Sequence, residues 1–93
     1  LRVKIAVIEE RIKDVLSHVS KYIDKSDAAE VLSLVETHGE FGIALETLSS
    51  ILEEEEIPVS IQIFNEIMSI FCDMGFEKED LSYYKENLKI ENG

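Results

Sequence analysis

Apolar positions along the chain fall mostly at alternating three- and four-residue steps. Ile5, Ile8, Ile12, Val15, Val19 and Tyr22 follow this rule, with Leu16 and Ile23 widening the stripe, and they predict a first helix from about Arg2 to Tyr22. Leu1, Val3, Ile5 and Val7 also alternate as a strand does, but the helical period continues past Ile8 and favours helix. Asp27 with Glu30 three residues on is an N-cap signature. Ala28, Val31, Leu32 and Val35 then form an apolar face, and Gly39 suits the C-terminal cap of this second helix. A third helix is expected from near Glu40, burying Phe41, Ala44, Leu45, Leu48, Ile51 and Leu52, with Thr37 and Glu40 as an alternative capping box.

Pro58 forbids continuation and biases Ile57 toward an extended backbone, while Ser60 is a good N-cap for a fourth helix. That helix carries Ile61, Phe64, Ile67, Met68, Phe71 and Met74. Ile63 and Ile70 add a second stripe, which predicts burial on two sides and a central position. Gly75 followed by Phe76 fits a Schellman ending in which Phe76 packs back on Phe71. A fifth helix from about Lys78 turns Leu81, Tyr84 and Leu88 inward and places Lys85 and Lys89 toward its C-terminus, where cations suit the dipole. The expected fold is all-α: one domain over residues 1–93, a small bundle of four to five helices.

Composition agrees with that pattern. A content of 45% hydrophobic residues with one proline and four glycines excludes a disordered acidic tail. Nine Lys and Arg against 20 Asp and Glu give a net charge of −11, which argues against direct binding to nucleic acid or an anionic membrane. No apolar run approaches the roughly 20 residues of a membrane span and no leader pattern is evident, so a cytoplasmic location is expected. Cys72 stands alone in an apolar run and is expected to be a buried, reduced thiol.

The distribution of charge changes the picture more than its total. Between Ser26 and Glu77 there is no Lys or Arg, yet this stretch holds 12 of the 20 acidic residues. Helices 2 to 4 are therefore expected to lack internal ion pairs. Glu46, Ser50, Glu53 and Glu54 lie opposite the leucine face of helix 3, and Glu30, Ser33 and Glu36 do the same on helix 2. Helix 3 also ends in four glutamates, Glu53 to Glu56, where each opposes the macrodipole by about 0.3–1 kcal/mol. Taken singly, such glutamates are what a solvated outer face carries. A long segment without a cation points further, to a basic partner surface facing Glu36, Glu46, Glu53, Glu54, Glu55 and Glu56.

Candidate chemistry is sparse. His18 and His38 are the only histidines, Ser49 and Ser50 have no base nearby in sequence, and the glutamate run lacks the spacing and central glycine of a calcium loop. Residues 39–42 lack the pattern of a phosphate loop. The expectation is a non-catalytic binding protein without cofactor or metal. The alternative is a helical self-association or adaptor module using the doubly apolar fourth helix.

The stretch HGEFGIALETLSSILEEEEIPVS, residues 38–60, resembles the MafI family of bacterial immunity proteins. The resemblance is carried by Gly39-Glu40-x-Gly42, Ala44-Leu45-Glu46 and Ile57-Pro58, and extends more loosely through Phe64, Ile67 and Met74 to Tyr83 and Tyr84. It implies a cytoplasmic antitoxin that binds the C-terminal domain of a cognate polymorphic or contact-dependent toxin and blocks it without chemistry. Such toxins are frequently nucleases with basic grooves, and a homodimer of the inhibitor is possible. The resemblance implies fold-preserving roles for Gly39, Ala44, Leu45 and Pro58 and does not assign contact residues.

Overall fold

The computed structural model describes residues 5–91. The seam beginning at Ile5 becomes α1 (Ile5–Val19), which buries Ile8, Ile12, Val15, Leu16 and Val19 and tightens into a 3₁₀ turn over Ser20–Tyr22. The remaining helices are α2 (Lys25–Glu36), α3 (Phe41–Glu54), α4 (Ile61–Asp73) and α5 (Lys78–Asn87). Among the described residues the fold is thus an all-α bundle of five helices. The strand-like alternation at Leu1 and Val3 lies outside the described residues; Ile5 and Val7 are helical.

The central element is α3, not α4 as the double stripe suggested. α3 packs against α1, α2, α4 and α5, whereas α4 packs against α1, α3 and α5. Both helices bury large side chains completely, Leu45, Leu48 and Leu52 on α3 and Ile67, Ile70 and Phe71 on α4, so the difference lies in how many helices each one meets. Each fully buried leucine of α3 contributes about 1.5–3 kcal/mol relative to exposure.

Several helix ends follow the sequence. Ser60 accepts a hydrogen bond from the Ile63 N–H at 3.1 Å and caps α4. Gly75 has φ +92°, the Phe76 N–H donates to the Phe71 carbonyl at 3.0 Å, and the two rings lie 4.9 Å apart. This is the Schellman ending with its hydrophobic contact. Gly39 takes φ +61° beyond α2.

Other ends differ. α2 begins one turn earlier than the Asp27–Glu30 signature implies, because extended Asp24 already offers its carbonyl to the Ala28 N–H at 2.9 Å. Asp27 thus sits inside the first turn. The Thr37–Glu40 capping box does not form: Thr37 closes α2, and Glu40 precedes α3 without a side-chain cap. At α5 an unforeseen cap appears, with the Glu77 N–H donating to the Asp80 carboxylate at 3.1 Å. Cys72, expected in the core, is exposed on α4.

The segment after α5 has no sequence signal, yet it closes the fold. Val59 donates its N–H to the Lys89 carbonyl at 2.9 Å, and the Glu91 N–H donates to the Val59 carbonyl at 2.7 Å, a single parallel bridge between the α3–α4 linker and the C-terminal tail. Leu88 is buried beside it.

Candidate partner-binding surface

The six glutamates expected to share one surface are placed in different directions. Glu36, at the end of α2, reaches α1, where Lys13 Nζ lies 2.9 Å from its carboxylate. Glu56 reaches the tail, with Lys89 Nζ at 2.7 Å. Glu55 turns toward the start of α2, where its oxygen and those of Asp24 and Asp27 all lie within 4.8 Å of one another. Glu46, Glu53 and Glu54 remain on one stripe of α3, and none of them forms an ion pair among the described residues.

The cation-free segment is therefore not free of ion pairs, because cations arrive from elsewhere in the chain. Arg11 of α1 donates through Nε and Nη2 to the two oxygens of Glu66 at 2.9 and 3.1 Å, and its remaining arm binds Asp73. Nη2 also meets Ser69 Oγ at 3.0 Å. The hydrogen bonds to Glu66 and then Asp73 hold the guanidinium well above its ordinary pKa, fixing the charge of this α1–α4 clamp. The hydrogen bond to Glu36 likewise raises Lys13, and Lys89 lowers the carboxyl of Glu56. Residues 13, 36, 56 and 89 lie at exposed or half-exposed positions, where such pairs stabilise weakly.

Glu56 also answers a question of backbone geometry. It is the one non-glycine residue with positive φ among the described residues, at +55°, and the Ile57 N–H reaches the Leu52 carbonyl at 2.9 Å. The last glutamate of the run thus occupies the left-handed cap position that glycine usually takes.

Beside the Glu46–Glu53–Glu54 stripe stands α5. The Tyr83 hydroxyl donates to Glu53 Oε1 at 2.8 Å, and the Tyr84 hydroxyl lies 3.2 Å from Ser50 Oγ. Tyr84 stacks on buried Phe71 with rings 3° from parallel and 5.9 Å apart, and Tyr83 meets Tyr84 edge-on at 5.7 Å. The hydrogen bond to Glu53 raises the Tyr83 pKa first, followed by burial and the charges of Glu53 and Glu54. Tyr83 remains 54% exposed. Its ring is fixed at one edge by Tyr84 and at its hydroxyl by Glu53, and offers its surface beside two carboxylates.

The sequence turns Tyr84 inward but does not join Tyr83 to the acidic stripe. A signal existed: Tyr83 is one residue out of phase with the inward Leu81–Tyr84–Leu88 set, which marks it as an outward aromatic.

Chemically, this surface suits a cation. Carboxylates next to a fixed aromatic ring attract an ammonium or guanidinium group through charge and through the ring face. The Asp24–Asp27–Glu55 group presents hard oxygen donors of the kind divalent cations take, but Asp24 and Glu55 are exposed and supply no surrounding cage. No helix among the described residues is long and apolar enough to cross a membrane. No protein-family model, curated protein or solved structure matches the chain significantly.

Proposed function

We propose that this protein is a non-catalytic inhibitor of the immunity type, which docks the α3–α5 face against a basic surface of a cognate bacterial toxin domain. The observation that carries the reading is the union of Glu46, Glu53 and Glu54, free of ion pairs among the described residues, with exposed Tyr83 held by Glu53. Carboxylates accelerate encounter with a cationic surface, and a rigid aromatic supplies the contact that slows dissociation. The MafI-like stretch at residues 38–60 supports the antitoxin assignment, and a nuclease, whose substrate groove is basic, is the toxin class that fits best. Of the six glutamates that the charge pattern singles out, Glu46, Glu53 and Glu54 are the proposed contacts. Glu55 lends negative potential beside them, and Glu36 and Glu56 serve their own lysines.

The test is co-expression with a candidate basic toxin domain, scoring survival and co-purification. The wild-type chain is expected to protect, and the combined Glu46→Lys, Glu53→Lys and Glu54→Lys variant to lose protection while retaining its helicity. Undiminished protection by a folded triple variant contradicts the proposal.

A further inference from the structure

At the other end of α3 lies a groove of about 340 Å³, bounded by Ile5, Ile8, Phe41, Gly42, Met74 and Phe76. Asp73 is the charged residue of its lining. Glu40 and Glu77 are exposed and next in the chain to the lining residues Phe41 and Phe76, so two further acidic residues sit on the backbone beside it. Neither has an ion pair among the described residues, and the guanidinium that holds Asp73 is already shared with Glu66. Phe76 also begins an aromatic chain, Phe76–Phe71–Tyr84–Tyr83, that ends on the acidic stripe. Groove and stripe thus meet the same aromatic core from two sides.

The charge around the groove selects its occupant. A second copy would bring a net charge of −11 and the same acidic rim against its own image, which like-charge repulsion opposes. We propose that the groove receives an apolar side chain carried on a lysine- or arginine-bearing segment of the cationic protein partner. This rests on the proposed function and adds a second, apolar point of attachment to it. Burying the side chain supplies affinity, and the flanking cations meet Glu40 and Glu77.

The probes are the peptide Lys-Lys-Leu-Phe-Lys-Lys and its counterpart Glu-Glu-Leu-Phe-Glu-Glu, with binding followed by methyl and aromatic NMR. A plugging variant is available at Gly42, where an added Cβ would meet only the Phe76 ring at 3.5 Å, an ordinary contact. Gly42→Ala serves as the control for folding, and Ile5→Ser, at a position 70% exposed, removes apolar lining without entering the core. The lysine peptide is expected to shift the resonances of Ile5, Ile8, Met74 and Phe76, and Gly42→Leu to weaken its binding by about tenfold or more, with Ile5→Ser weaker in effect. The glutamate peptide is expected to leave these resonances unmoved.

Shifts confined to the Glu46–Glu54 stripe and Tyr83, indifferent to Gly42→Leu, overturn the groove and leave the proposed function standing. No preference for the lysine peptide at either place overturns both. A dimer of the free chain that Gly42→Leu dissociates assigns the groove to a second copy. Groove binding that appears only after removal of residues 1–4 assigns it to the chain's own N-terminal residues. Either result overturns the proposal.

Discussion

The α1–α4 contact and the α3–α5 contact both hold carboxylates, but they treat the charge in opposite ways. Between α1 and α4, Glu66 and Asp73 share one arginine that is four-fifths covered, its side chain being 21% exposed. Between α3 and α5, Glu53 meets a neutral phenol and Glu54 and Glu46 meet no cation among the described residues. The first arrangement is complete within the chain and serves the fold. The second leaves negative potential beside an exposed ring, a cost in stability that the proposed cationic partner would offset.

This contrast predicts separable effects. The largest loss of stability is expected from Arg11→Ala, which leaves Glu66 and Asp73 without their shared donor. A cost of about 1–3 kcal/mol is expected after allowing for partial exposure, measurable by urea unfolding, with partner binding unchanged. An equal loss of binding would erase the distinction between the two contacts.

Ser49 is next. It is fully buried in α3 and its hydroxyl has no hydrogen-bond partner among the described residues. Ser49→Ala is expected to stabilise the central helix by about 1 kcal/mol, since the hydroxyl is desolvated without compensation. A destabilised Ser49→Ala in the same unfolding assay would show that the hydroxyl finds a partner.

A smaller gain is expected from Glu56→Gly, which relieves the left-handed strain and gives up only an exposed pair with Lys89. A rise of a few degrees in the thermal midpoint is the expected outcome, and a fall would mean that the lysine pair outweighs the strain.

The smallest effect is a titration. The Glu53 hydrogen bond favours the neutral phenol of Tyr83, so its contribution is present below the ordinary tyrosine pKa and lost as pH rises through the elevated folded value. Glu53→Gln is expected to bring the Tyr83 titration, followed by NMR, down toward the ordinary value. An unmoved titration would show that Glu53 does not hold the ring in solution.

What was legible in the sequence was local. Ser60, Gly75 and Phe76 act within a turn of their partners, and the helix periods of Ile8–Ile12–Val15 and Leu45–Leu48–Leu52 became buried faces. Competition defeated other local signals: Asp27 reads as a cap, but extended Asp24 starts the helix first. Long-range pairing was invisible. Arg11 finds Glu66 55 residues away, Tyr83 finds Glu53 30 residues away, and the tail finds Val59 with no pattern to announce it. The cation-free segment misled for the same reason, since Lys13 and Lys89 lie far outside it in sequence yet at 2.9 and 2.7 Å from its carboxylates.

The central claim is tested most directly by the association rate with the cognate toxin domain as a function of ionic strength, for the wild type and for the combined Glu46→Lys, Glu53→Lys and Glu54→Lys variant. The wild-type rate is expected to fall by about tenfold or more from low to physiological salt, and the variant to associate slowly with a flattened slope. Equal rates and equal salt slopes for the two proteins would contradict the claim that this stripe of α3 steers a cationic partner.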